Sequence, residues 1–202
     1  MNSIIEIFKN ANKFAVYDIN GKKCSKINFN YFFFSIFPWL FSLFIVCVSR
    51  DNFNFEFTTI GALLSLFTGL LFNLLLKISD KVRQIPSKKS VKSENEIDKR
   101  TQETNYLKLF FYFLSYSIVV ALILITLLII QTFLSELFKI KLSTFIFTRE
   151  INISNLFCFF KVLCVLVYRF LVVFCLINFV MYILLSISYL YQYINFEFSK
   201  IE

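Results

Sequence analysis

The sequence predicts an all-α, polytopic membrane protein with four transmembrane helices arranged as two hairpins. Of its 202 residues, 58% are hydrophobic and 20% aromatic, and the mean hydropathy is +0.70, which is typical of integral membrane proteins. The apolar residues are also gathered into long runs, and about 20 such residues suffice for one helical crossing of a roughly 30 Å hydrocarbon layer. The predicted crossings cover about 31–48, 57–76, 109–135 and 162–193.

The segments between these runs set the predicted domain organisation. Pro38 interrupts the first crossing and is expected to kink it. Residues 50–56 leave room only for a tight outer loop, so the second crossing should return beside the first as a hairpin. The other predicted segments are an N-terminal segment 1–30, a central loop 77–108, an outer loop 136–161 and a tail 195–202.

The distribution of basic residues predicts the orientation. Fifteen Lys and Arg residues fall on the side that holds both termini and the central loop, and six fall on the opposite side. The positive-inside rule therefore places both termini in the cytoplasm. Ser3 and Glu6 have capping-box spacing ahead of apolar residues, which favours a short amphipathic helix at the inner membrane surface.

The second predicted crossing is not uniformly apolar. Small or polar residues recur at every fourth position and form a slowly winding stripe on one side of the helix. One interpretation is close helix packing within a single protomer, as small residues often provide. The other is a pore lining, and a contact between subunits would satisfy both. The stripe residues are Gly61, Ser65, Gly69 and Asn73, with Thr68 close to the same side.

The central loop begins with a basic cluster directly after this crossing. Topology and attraction to anionic lipid explain the charges adequately. A sharper hypothesis is that an anionic ligand, such as a nucleotide or an oligonucleotide, binds there. The cluster consists of Lys77, Lys81, Arg83, Lys88, Lys89 and Lys92.

Two basic residues, Lys161 and Arg169, interrupt the last apolar region. If the crossing begins near Arg169, both side chains lie at the outer interface and can snorkel into water. If it begins earlier, Arg169 is an intramembrane charge that faces a wet cavity or a partner.

The sequence offers no pattern for catalysis, a metal ion or a cofactor. Histidine is absent, which removes the commonest general base and zinc ligand. We find no Gly-rich phosphate loop, nucleophile elbow or metal-ligand spacing. Because the spanning segments also contain no acidic residues, we expect a non-enzymatic membrane protein.

The segment IGALLSLFTGLLFNLLLKISDKV, followed by a charged loop and a second hairpin, resembles the small four-helix membrane proteins of bacterial antiphage defence operons. Within that group the chain is most similar to the membrane component of Hailong-type systems, with the Kiwa membrane protein as the competing resemblance. The likeness covers the overall layout and about 25 residues.

This resemblance implies an effector in the bacterial inner membrane. It implies a homo-oligomeric ion channel, with a tetramer favoured, whose opening depolarises the infected cell. It also implies a partner nucleotidyltransferase that makes DNA oligomers, which would regulate the channel from the cytosolic side. No ligand-binding residue is assigned by the resemblance.

Two further hypotheses remain open. The chain could be a non-conducting sensor or scaffold that recruits a cytosolic defence partner through 1–30 and 77–108. A weaker option is a holin-like or toxin-like protein that acts without a partner.

Overall fold

The computed structural model describes residues 2–14, 32–49, 57–84, 94–134 and 153–198. These residues are helical and contain no strand, so the prediction of an all-α protein is confirmed. A π-helical turn, Phe32–Ile36, precedes the second α-helix. The α-helices are α1 (Asn2–Phe14), α2 (Phe37–Ser49), α3 (Phe57–Gln84), α4 (Glu94–Phe133) and α5 (Ile153–Phe198).

Three of these helices, α3, α4 and α5, are long and apolar enough to span a membrane. The α2 helix is apolar but has only 13 residues, fewer than the roughly 20 needed for a crossing. The π turn directly precedes Pro38, whose ring and missing N–H disrupt regular α-helical hydrogen bonding. Three of the four predicted crossings thus have helices of sufficient length, and the first stays a prediction.

The helices α4 and α5 form the centre of the bundle. Tyr182 packs against Tyr116 with ring centroids 4.1 Å apart, and Tyr189 stacks on Phe113 at 5.3 Å. Because residue numbers rise along one helix as they fall along the other, the pair is antiparallel. Phe113 and Leu124 are fully buried there. These large aromatic and aliphatic side chains supply the packing that holds the two helices together.

The α3 helix packs on α4 through one side. Leu64 and Ile78 are buried on that side. A Cβ atom added to Gly61 would lie 3.9 Å from Leu128 Cδ1, so the glycine lies at ordinary contact distance from α4. The α4 helix therefore has α3 and α5 as its two long neighbours.

The α2 helix packs mainly against α5. Trp39 lies 4.8 Å from Phe174 and 5.5 Å from Phe170, measured between ring centroids. Val46 is buried in a cluster with Val173. The contacts of α2 thus join the first and last parts of the chain, whereas its predicted hairpin with α3 stays a prediction.

The α1 helix packs against α4. Phe8 meets Tyr116 edge-on, with ring centroids 5.0 Å apart, and Ala11 is fully buried in the same cluster. Ile4 and Ile5 are exposed. The predicted amphipathic helix is therefore helical in the structure, and part of its apolar side contacts the bundle.

One cluster marks the level at which the bundle becomes charged. Ile78 of α3, Leu107 of α4 and Tyr193 of α5 pack together. Two of these residues are adjacent in sequence to an exposed lysine: Lys77 precedes Ile78, and Lys108 follows Leu107. We call this the inner level, after the orientation that the basic residues predict.

At the other end, two contacts define an outer level. Gly61 lies beside Leu128, and the Tyr168 hydroxyl lies 2.9 Å from the carbonyl oxygen of Leu127. Between the two levels α3, α4 and α5 advance by 17, 21 and 25 residues. At 1.5 Å per residue these lengths are about 26, 32 and 38 Å, which bracket a hydrocarbon layer of roughly 30 Å.

The α5 helix continues well past the outer level. It begins at Ile153, nine residues before the predicted start of the last crossing at about 162. Residues 153–161, which belong to the predicted outer loop, are helical in the structure, and the boundary of the crossing stays a prediction. We call residues 153–167, which precede the outer level, the outer extension. Its length is about 22 Å.

Candidate functional site

The stripe on α3 starts at the contact with α4 and winds away from it. Four residues of an α-helix advance by 400°, so each stripe member is rotated about 40° from the one before. Gly61 is half-buried beside α4, whereas Ser65, Gly69 and Asn73 are exposed. A Cβ atom added to Gly69 would have nothing within 4 Å. Packing inside the protomer therefore gives Gly61 a role but gives Gly69 none.

Thr68 lies next to the stripe, about 20° from Gly61 around the helix. It is half-buried, and its hydroxyl donates to the backbone carbonyl of Leu64 at 2.6 Å. A hydroxyl that is bonded to its own helix is already satisfied in an apolar environment. The outward polar groups of the stripe are therefore those of Ser65 and Asn73.

The α3 helix, which carries the stripe, is the most exposed of the three long helices. In the most apolar 18-residue stretch of each helix, 11% of the residues are buried in α3, against 50% in α4 and 44% in α5. An exposed carboxamide such as that of Asn73 would lie against lipid, where an unmet donor or acceptor is costly. This polar face is the candidate site, and it lacks a partner surface within the described part of the protomer.

Three of the six predicted basic residues lie on the last turns of α3. Lys77, Lys81 and Arg83 are all exposed. Lys77 and Lys81 share a side of the helix because they are one turn apart, whereas Arg83 points to nearly the opposite side. Lys88, Lys89 and Lys92 lie outside the described residues. The structure therefore brings two of these charges together and separates the third from them.

Arg169 is only 6% exposed, and it follows Tyr168 at the outer level. The Tyr168 hydroxyl lies 2.9 Å from the Leu127 carbonyl oxygen and 2.9 Å from Gln131 Oε1, and its single proton can serve either acceptor. Arg169 is thus buried within the protomer, at the level where Tyr168 meets α4. Its burial does not fit a side chain that snorkels into open water.

Two buried polar atoms lie on the parts of α4 and α5 at or beyond the inner level. Arg100 Nη1 and Gln192 Oε1 are buried and have no hydrogen-bond partner among the described residues. They were not anticipated from the sequence, in which Arg100 belongs to the predicted central loop 77–108.

Several buried polar side chains inside the protomer donate hydrogen bonds to carbonyls of their own helices. Ser117 donates to the carbonyl of Phe113 at 3.0 Å, and the Asn178 amide donates to the carbonyl of Phe174 at 2.9 Å. Such bonds satisfy these hydroxyl and amide groups within the apolar interior of the protomer.

The described residues contain no group of three or more His, Cys, Asp or Glu that could hold a metal ion. The exposed cysteines of the described residues are Cys47, Cys158 and Cys164, each without a disulfide. No protein-family model, curated protein or solved structure was found to match this chain.

Proposed function

We propose that copies of this chain assemble in the bacterial inner membrane into an ion channel that acts as a non-enzymatic effector of antiphage defence. The observation that carries the channel part is the exposed polar face of α3, formed by Ser65, Gly69 and Asn73. The defence role and the preference for a tetramer rest on the resemblance to Hailong-type membrane components. Both termini lie in the cytoplasm in this proposal, as the distribution of basic residues predicts.

Two physical features of the face favour contact between copies of the chain. An Asn amide both donates and accepts, so Asn73 side chains from two copies can satisfy each other. The open space at Gly69 allows the backbone of another helix to approach closely. Lipid offers neither a hydrogen-bond partner nor a complementary shape.

The same face can line a water-filled path once copies surround an axis. A protomer with few helices has little room for a pore of its own, so one α3 helix from each copy would form the wall. Ser65 and Asn73 would then contact water and permeating ions. This arrangement combines the packing and the pore-lining interpretations of the stripe.

Gating in this proposal acts from the cytosolic end of α3. Lys77 and Lys81 are exposed on one side of the helix at the inner level. An anionic ligand, such as the DNA oligomers implied by the resemblance, would bind there and move the helix that lines the path. Lys88, Lys89 and Lys92 follow within the same predicted cluster. Such binding should weaken steeply with salt.

Current through planar bilayers tests the proposal. Purified chain is reconstituted with and without short single-stranded DNA oligomers, and membrane potential is followed with a dye in cells. We expect Asn73→Leu to reduce the current at least tenfold, because it removes the polar group from the wall. Leu63→Ala, at an exposed position on another side of α3, is the matched control and should conduct normally. Absence of current above that of lipid alone in every condition contradicts the proposal.

The sensor or scaffold hypothesis predicts a different outcome. The α3, α4 and α5 helices extend beyond the inner level, where α3 carries the exposed Lys81 and Arg83. These extensions offer a surface for a cytosolic partner. Capture of one soluble protein that depends on Lys77 and Lys81, together with absent ion flux, would favour this hypothesis over the channel.

A further inference from the structure

The α1 helix lies deep in the bundle for a helix that carries charges. The ring of Phe8 contacts that of Tyr116 on α4, with 5.0 Å between the ring centroids, and Ala11 is fully buried in the same cluster. Tyr116 follows Leu107 of the inner level by nine residues, which is about 14 Å along α4. Because the stretch of α4 between the two levels measures about 32 Å, α1 contacts it close to the middle.

The α5 helix gives the same depth for this contact. Tyr182 packs on Tyr116 with ring centroids 4.1 Å apart. It precedes Tyr193 of the inner level by eleven residues, which is about 16 Å along α5. Measured along either helix, Phe8 therefore contacts the bundle well inside the predicted hydrocarbon layer.

One side of α1 is apolar and the other carries ionised groups. Four apolar residues fall within about 100° around the axis of this 13-residue helix, namely Ile4, Ile7, Phe8 and Ala11. Glu6 and Lys9 each lie about 150° from the centre of that arc, and both are exposed. The docked helix therefore directs two ionised side chains away from α4, near the middle of the layer.

Lipid tails around this side of α4 would strongly disfavour the docked position. One ionised side chain at the centre of a bilayer lowers the population of that position by about a hundredfold. The four-carbon stem of Lys9 does not span about 14 Å to the headgroups, and Glu6 reaches less far. The contacts of Phe8 and Ala11 weigh less, because hydrocarbon tails cover an apolar surface about as well as another helix does.

The inner surface of the membrane suits both sides of α1. There Glu6 and Lys9 would reach water, and Lys9 would also meet anionic headgroups. Ile4 and Ile5, which are exposed in the docked position, would enter the edge of the hydrocarbon. Docking on α4 uses only part of the apolar side, whereas the membrane surface uses all of it.

We propose that α1 has two positions, one docked on Tyr116 and one on the inner membrane surface, and that its ionised side chains select the second when lipid surrounds α4. The docked position is kept while water reaches this side of the protomer. The helix is thus a strap that lipid releases from the centre of the bundle. The proposal goes beyond the proposed function and does not rest on the α3 contact.

The depth of α1 in a bilayer can be measured with a single tryptophan. Trp39 is the only tryptophan, so Trp39→Phe removes the native signal and Phe8→Trp introduces one on α1. The full chain is reconstituted in vesicles of phosphatidylcholine and phosphatidylglycerol whose acyl chains carry bromine either near the headgroup or near the chain end. Bromine quenches tryptophan at its own depth, so the ratio of the two signals reports the depth of α1. Phe111→Trp, at an exposed position of α4, marks the depth of the bundle.

We expect bromine near the headgroup to quench the α1 tryptophan at least twofold more strongly than bromine near the chain end. Adding Glu6→Met and Lys9→Met should reverse this ratio, because a neutral α1 can stay docked. Ile4→Met with Ile5→Met is the matched control, since it changes two exposed residues of α1, keeps both charges and should leave the ratio unchanged. Stronger quenching near the chain end in the charged helix overturns the proposal, because α1 then stays docked in lipid. An unchanged ratio after neutralisation also overturns it, because the charges then do not select the position.

Discussion

The contact between α4 and α5 and the outward face of α3 contain similar polar side chains in different surroundings. Ser117 and Ser186 lie within the bundle and donate to carbonyls of their own helices, at 3.0 and 2.8 Å. Ser65 and Asn73 lie on α3 and are exposed. The aromatic packing of Phe113 and its neighbours surrounds the first pair, whereas the described protomer offers the second pair no neighbouring helix.

This difference separates the stability of one protomer from the assembly of several. Inside the bundle, the hydroxyls of Ser117 and Ser186 are satisfied by their own helices, and aromatic packing contributes to the association of α4 with α5. In the proposed assembly, the polar groups of α3 are satisfied by another copy of the chain. Substitutions at the two regions should therefore affect different measurements, folding in one case and assembly in the other.

The largest effect is expected for Phe113→Ala in the α4–α5 contact. Phe113 is fully buried and stacks on Tyr189, so truncation removes packing and leaves a cavity. We expect a loss of about 3–5 kcal/mol in the free energy of unfolding. The measurement is circular dichroism during titration from mild detergent into sodium dodecyl sulfate.

Phe111→Ala is the matched control for this substitution. Phe111 lies two residues away and is exposed on the same helix. Its truncation should cost less than about 1 kcal/mol because it leaves no cavity. Equal losses at the two positions would mean that the α4–α5 contact is not the stable centre of the bundle.

A smaller effect on folding, with a large effect on assembly, is expected for Gly69→Leu. The position has nothing within 4 Å of an added Cβ atom, so the protomer has room for the side chain. Leu is also the better helix former by about 0.8 kcal/mol. Stability of the protomer should therefore be unchanged or raised, while the mass measured by light scattering falls to that of a single chain in detergent.

Leu63→Phe adds bulk at an exposed position of α3 that lies about 120° from Gly69, so it is the control for added volume. Its assembly should be unchanged. Native oligomer size in Gly69→Leu would show that the face of α3 is not a subunit contact.

Some of these features follow from the sequence and others do not. The uncharged runs at 57–76 and 109–135 are long enough to predict long apolar helices, and the structure contains them. The spacing of Gly61, Ser65, Gly69 and Asn73 shows that they share a winding side. Periodicity alone does not show which helix that side contacts. The exposure of Gly69 is therefore visible only when the positions of the other helices are known.

The start of α5 and the burial of Arg169 could not be predicted from the sequence either, because both depend on contacts made in the folded chain. Lys161 suggested the edge of a crossing, yet a single lysine can lie along a helix when its ammonium contacts an aromatic ring, here Phe157. The depth of Arg169 depends on the level at which Tyr168 meets α4. Such levels are set by contacts between residues far apart in sequence, and a hydropathy profile does not contain them.

The smallest effect is expected for Tyr168→Phe, which tests a polar group that joins two helices. The Tyr168 hydroxyl reaches across from α5 to the Leu127 carbonyl and to Gln131 Oε1 on α4. Its removal should cost about 1 kcal/mol in the free energy of unfolding, because interhelical hydrogen bonds in membranes contribute little more than that. Assembly should be unaffected, since the bond lies within the protomer.

Tyr191→Phe removes a hydroxyl from an exposed position on the same helix and should have no measurable effect on unfolding. If Tyr168→Phe instead changes the oligomer mass while Tyr191→Phe does not, the outer ends of α4 and α5 contribute to the contact between copies. The separation between the α4–α5 contact, which stabilises the protomer, and the α3 face, which is proposed to join copies, would then hold only at the inner end of the bundle. If both variants match the native chain, the outer end of the α4–α5 contact depends on apolar packing alone.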